Sequence, residues 1–147
     1  MTYLESWVEE GFFPPEFDSA ADLPGMDLPA LPDAFGSAPT EDRARAYLHA
    51  NCANCHQPGG IGQGVIDLRW ETPFADAQMC NVGPENGQMW RSGKHWIVGP
   101  GDPEHSMLYL RMKTLNKFRM PTLGSHVVDE DAVGLIEAWI NELTACP

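Results

Sequence analysis

The sequence predicts a mostly α-helical fold with long loops, and three observations carry that expectation. Apolar residues recur at helical spacing in an N-terminal stretch (Leu4, Trp7, Val8, Phe12), a central one (Ala44, Tyr47, Leu48) and a C-terminal one (Val133, Ile136, Trp139, Ile140, Leu143). Capping residues stand where such segments should begin: Thr40 before Glu41 and Asp42, Asp102 before Pro103, and Asp129. Prolines (13) and glycines (14) crowd the stretches between and break regular structure there.

The first helix should end at Gly11 and the Pro14-Pro15 pair. Residues 14 to 39 hold six prolines and no periodicity, so they read as an extended strap. This divides the chain into an N-terminal helix and strap, 1–39, and a domain, 40–147. The domain's first helix starts with Thr40 as N-cap and runs into Cys52. Thr72-Pro73 reads as the start of a short helix ending near Cys80. Asp102-Pro103 opens another, continued by Met107, Leu108, Leu110, Arg111, Met112 and Leu115. Asp129 caps the last.

Net charge is -12, which argues against nucleic acid as a partner and for a docking partner with a basic patch. No apolar run approaches the ~20 residues of a membrane span. Five Trp, six Phe and seven Met supply large apolar groups for lining a pocket.

The most specific signal is Cys52-Ala53-Asn54-Cys55-His56. Cys-x-x-Cys-His is the attachment pattern of a c-type haem. Two cysteines one helical turn apart can reach one porphyrin edge with both sulfurs. The adjoining histidine then supplies the proximal imidazole. A zinc site would need two further ligands at suitable spacing, and a dithiol redox pair would need a βαβ setting. Neither pattern is present in the sequence.

The residues after the motif, Pro58 to Gly64, are glycine-rich and can lie close against a ring. A carbonyl in this loop is the expected acceptor for His56 Nδ1–H. Arg69, Trp90, Arg91, Lys94, His95 and Trp96 are candidates to hold haem propionates. Met120 precedes Pro121 in a non-helical stretch, a position from which a thioether can turn toward iron. His126 is its rival. Cys80 and Cys146 remain once the haem takes its pair. An oxidising compartment predicts a disulfide between them.

A helix running into Cys52-x-x-Cys55-His56, a Met120-Pro121 loop and an amphipathic C-terminal helix together resemble class I cytochrome c over roughly residues 40 to 145. The stretch Val98-Gly99-Pro100-Gly101-Asp102-Pro103-Glu104-His105-Ser106-Met107-Leu108-Tyr109 is similar to a pattern in bacterial cytochrome-c-like domains, which are often fused to secreted oxidoreductases. The resemblance implies a helical fold around one haem with His56 and Met120 as axial ligands. It implies an electron carrier, not itself an enzyme, serving a redox partner protein or a fused oxidoreductase domain. The alternative is a haem enzyme or gas sensor with an open sixth site, using His126, His105 or His95. Haem c is attached outside the bacterial cytoplasm, so the expected location is periplasmic or secreted. Met1 to Pro15 does not read as a leader. The expectation is therefore a removed leader or a module of a longer exported protein.

Overall fold

The computed structural model describes residues 3–14, 16, 30–62, 64–85 and 95–147. The chain divides into two compact units, 1–31 and 32–147. Among the described residues regular structure is helical, with no strand beyond two isolated bridges.

In the first unit α1 spans Tyr3–Glu9. Gly11, at φ 74°, ends it in the left-handed conformation that glycine adopts without steric cost. Phe12 is left 72% exposed. Most of the proline-rich strap lies outside the described residues.

In the second unit α2 spans Thr40–Cys52, α3 Met107–Met112 and α4 Glu130–Glu142. The core is built on α4, whose Val133, Leu135, Ile136, Trp139 and Ile140 are buried. Ala44 and Leu48 of α2 join them, with Met107 and Leu110 of α3. Phe74 meets Trp139 edge to face at 5.0 Å. Asp129 caps α4 as expected, accepting from Ala132 N at 3.0 Å. Tyr47 of α2 donates to the same carboxylate at 3.1 Å.

Several boundaries differ from the sequence expectation. Pro39, not Thr40, is the residue before α2, and no side chain caps it. The Thr40 hydroxyl instead donates to Glu142 at 3.0 Å, tying the start of α2 to the end of α4. The helix expected after Thr72 is only a 3-10 turn, Phe74–Asp76, because the Thr72 hydroxyl is drawn to Asp67 (2.9 Å). The helix expected from Asp102 is split in two. Asp102 caps a 3-10 turn, Pro103–His105, and Ser106 then turns extended before α3. Ser106 is fully buried, and its hydroxyl donates to Asp102 O (2.7 Å) while accepting from Gly99 N (2.9 Å). A side chain that satisfies two backbone groups in this way competes with helix continuation. Leu143 falls just beyond α4.

The segment 96–98 is held on two sides. Asn81 N donates to Val98 O and Val98 N to Met79 O. Trp96 N donates to His105 O, and Met107 N to Trp96 O. Gly101 N reaches Ile140 O (2.9 Å), which hooks the 98–109 stretch onto α4. Cys80 and Cys146, expected to pair, stand with their Cα atoms 5.7 Å apart and are joined.

Candidate functional site

The last turn of α2 does not stop at Cys52. Cys55 N (3.1 Å) and His56 N (2.9 Å) both donate to Cys52 O, so the backbone winds on through the motif. The two cysteines are therefore about one turn apart. Both are free thiols and half-buried. Burial, with the neighbouring Cys55 second, pushes the Cys52 thiol up to about 11. A dithiol redox centre needs a thiol shifted the other way, toward the thiolate. Among the described residues no three His, Cys, Asp or Glu side chains converge as a metal-holding group. A zinc site on these cysteines would lack the rest of its ligand set.

His56 follows, half-buried. Burial first, and the positive charge of Arg111 second, lower its pKa. Both favour the neutral imidazole, the form that can donate a lone pair to a metal. The glycine loop closes beside it. Gly62 N donates to Cys55 O at 2.8 Å. A Cβ on Gly62 would lie 2.6 Å from Cys55 O and 2.7 Å from His56 Nδ1. Only glycine lets the backbone come this near the imidazole. The expected loop carbonyl bonded to Nδ1 is not there among the described residues; the Gly62 backbone flanks that nitrogen instead. Pro58 is exposed, in a turn closed by Gly60 N to Gln57 O.

Arg69 is paired with a neighbouring acid. Its Nε and Nη2 clasp Asp67 at 2.9 and 2.7 Å, and its backbone N–H adds a third bond at 3.2 Å. The clasp of Arg69 holds the Asp67 carboxyl well below the usual carboxylate range; the Thr72 hydroxyl adds to it, and burial opposes it. Sequence reading passed over Asp67 entirely. Its signal was weak: a lone acid two residues before an arginine. Arg45 reaches back from α2 to Trp70 O (2.7 Å) and Thr72 O (2.9 Å). His49 Nδ1 accepts from Trp70 N at 2.9 Å, so this histidine anchors a loop.

Met120 is half-buried and follows its expected loop, with a cis bond to Pro121. Its N–H donates to Arg111 O at 3.0 Å. The residue whose charge acts on His56 thus also anchors Met120. His126 is exposed. Trp96 is half-buried, and its indole edge is where a Cβ on Gly99 would collide, at 2.8 Å. His95 and His105 sit with ring centroids 5.6 Å apart, and His105 Nδ1 is paired with Asp102. Trp90, Arg91 and Lys94 lie outside the described residues.

Among the large apolar side chains left in solvent, four lie on two loops. Ile61 (86%) and Val65 (66%) follow His56, while Leu123 (83%) and Val127 (82%) follow Met120. Comparison with known families, characterised proteins and solved structures finds no match for this chain.

Proposed function

We propose that this chain is an electron-transfer module with a cytochrome c-like fold. It would carry one haem c bound through Cys52 and Cys55, with His56 and Met120 as axial ligands. The observation that carries the reading is the turn 52–56: two free thiols one turn apart, an adjoining imidazole, and a glycine backbone pressed against that ring.

The residues fit such a group. Both cysteines are free of any disulfide, as thioether formation requires. The exposed apolar side chains of 61–65 and 123–127 would gain an apolar neighbour in a porphyrin face, worth roughly 25 cal/mol per Å² covered. When bound, a haem with His/Met ligation supplies a one-electron couple with both axial positions filled. The protein's part would be to hold an imidazole and a thioether on separate stretches and to keep water from the ring. Arg69 is held by Asp67 through Nε and Nη2, which leaves Nη1 as its remaining donor toward a propionate.

Haem c attachment implies export to the periplasm or beyond. The acidic surface, at net charge -12, favours a basic docking patch on a partner protein or fused oxidoreductase domain. Among the described residues no helix is long and apolar enough to cross a membrane.

Expression alongside a haem c maturation pathway tests the reading. The product should keep its haem through denaturation, and Cys52→Ser with Cys55→Ser should abolish that retention. A haem that washes out on denaturation, or is never taken up, removes the proposal. Electron exchange with a basic redox protein should slow as salt rises. A rate indifferent to salt would sink the charge-steering part alone.

A further inference from the structure

We infer that Asp67 is a positioning residue for His56: it pins the strap whose Leu68 N–H holds the carbonyl of that prospective iron ligand. The inference rests on the haem reading above and adds a residue to it.

The strap is residues 67–72. Leu68 N donates to His56 O at 3.0 Å, and Asp67 N donates to Ala77 O at 3.1 Å. Asp67 is only 8% exposed. Its carboxylate accepts from Arg69 N, Nε and Nη2 and from Thr72 Oγ1, at 2.7 to 3.2 Å. One buried carboxylate thereby closes the strap on itself on the C-terminal side of Leu68.

The same strap is clamped to the helix that delivers the cysteines. Arg45 holds Trp70 O and Thr72 O, its guanidinium lies 5.0 Å from the Trp70 ring centre, and His49 holds Trp70 N. His56 is therefore gripped at both backbone ends. Its N–H belongs to the continued turn of α2, and its C=O belongs to the strap. Fixing both peptide groups fixes the Cα–Cβ direction, which leaves the imidazole only its χ1 and χ2 rotamers to choose among. No side-chain hydrogen bond to the ring does this work among the described residues. Backbone clamping stands in for the usual partner of a ligating histidine.

The test has one arm without haem and one with it. In the apo protein, Asp67→Asn should speed hydrogen exchange at the Leu68 amide by about tenfold more than at Ile136 or Ile140 of α4. Equal acceleration everywhere would mean Asp67 only stabilises the fold, and would overturn the inference. In the haem-loaded protein, the same variant should alter the ferric electron paramagnetic resonance pattern, which reports imidazole orientation. It should also move the one-electron reduction equilibrium by about tenfold, or 59 mV. Ile136→Val, a core change remote from the strap, should lower stability without either effect. The double variant Asp67→Asn with Arg69→Gln removes the uncompensated cation; it should behave like Asp67→Asn. If it instead behaves like the parent protein, stray charge and not lost clamping was the cause, and the inference fails. If no haem attaches to the parent protein, the haem reading fails while the apo arm still decides on the clamp.

Discussion

The stretch from Cys52 to Thr72 and the stretch from Lys113 to Val128 are both irregular backbone, and each carries one prospective iron ligand. The first is tied to α2 at both of its ends. It leaves α2 through the Cys52 carbonyl, returns through Gly62 to Cys55, and is clamped again by Arg45 and His49. The second is bound mainly to itself. Arg119 donates to Ser125 Oγ (3.0 Å) and Thr122 O (3.2 Å), the Ser125 hydroxyl donates to Pro121 O, and Phe118 N bonds Asn116. Past the end of α3, where Lys113 N bonds Tyr109 O, its backbone meets a helix again at Met120 N to Arg111 O. The His56 side is thus prebuilt by hydrogen bonds that exist without any cofactor. The Met120 side is a self-contained loop, and loops of that kind open at the low end of the local stability scale. Ligand exchange should therefore begin at Met120.

The largest effect expected bears on both arms together. The Cys80–Cys146 bridge closes a loop with a sequence separation of 66. Removing it with Cys80→Ala and Cys146→Ala should cost about 4 kcal/mol in the chain-entropy model. Urea melts of parent and variant check this; equal midpoints would show the bridge to be dispensable.

Two glycines set the arms against each other. Gly62→Ala would press a Cβ onto Cys55 O and His56 Nδ1, so something must shift, at about 1–3 kcal/mol. Haem uptake should fall with it. Gly124→Ala meets open space and pays only for φ +72°, about 1–2 kcal/mol, with haem uptake unchanged. Equal haem yields from the two variants would erase the distinction between the arms.

Asp67→Asn should cost about 1–3 kcal/mol at neutral pH by breaking buried, charge-assisted hydrogen bonds. The sign follows from its depressed folded pKa. The stabilisation is complete above the unfolded value of about 3.9 and is lost as pH falls toward the folded value. The gap between parent and variant melts should therefore narrow in acid below about pH 4. A gap that stays constant down to pH 2 would show that the carboxylate charge is not what matters.

Met120→Ala should change stability least, since the side chain is only half-buried. Its effect should be chemical. The ferrous, haem-loaded variant should bind carbon monoxide readily while the parent does not. Rapid binding by the parent would favour the enzyme or sensor reading instead.

Much of this was legible in the residues. Cys52-x-x-Cys55-His56 is a local pattern whose spacing already implies one helical turn, and α2 does run into it. The α4 stripe and its Asp129 cap were equally plain, because a 13-residue helix with one apolar face is specified within itself. The Cys80–Cys146 pairing followed from counting thiols. Helix ends were less legible. Thr40, Thr72 and Ser106 all look like caps or helix residues in sequence, and each spends its hydroxyl on a partner that local pattern does not reveal.

The sequence by itself marked the residues proposed to hold a cofactor and the two long helices α2 and α4, because both signals depend on neighbours along the chain. Only the tertiary structure decided how those residues are held. That Arg45 holds the carbonyls of Trp70 and Thr72, that Leu68 grips the His56 carbonyl, and that Arg111 acts on His56 while its carbonyl holds Met120 are meetings of separate segments. Hydrogen bonds and charges act over a few ångströms of space regardless of distance along the chain. A composition or a spacing cannot reveal such meetings until the chain has folded around its core.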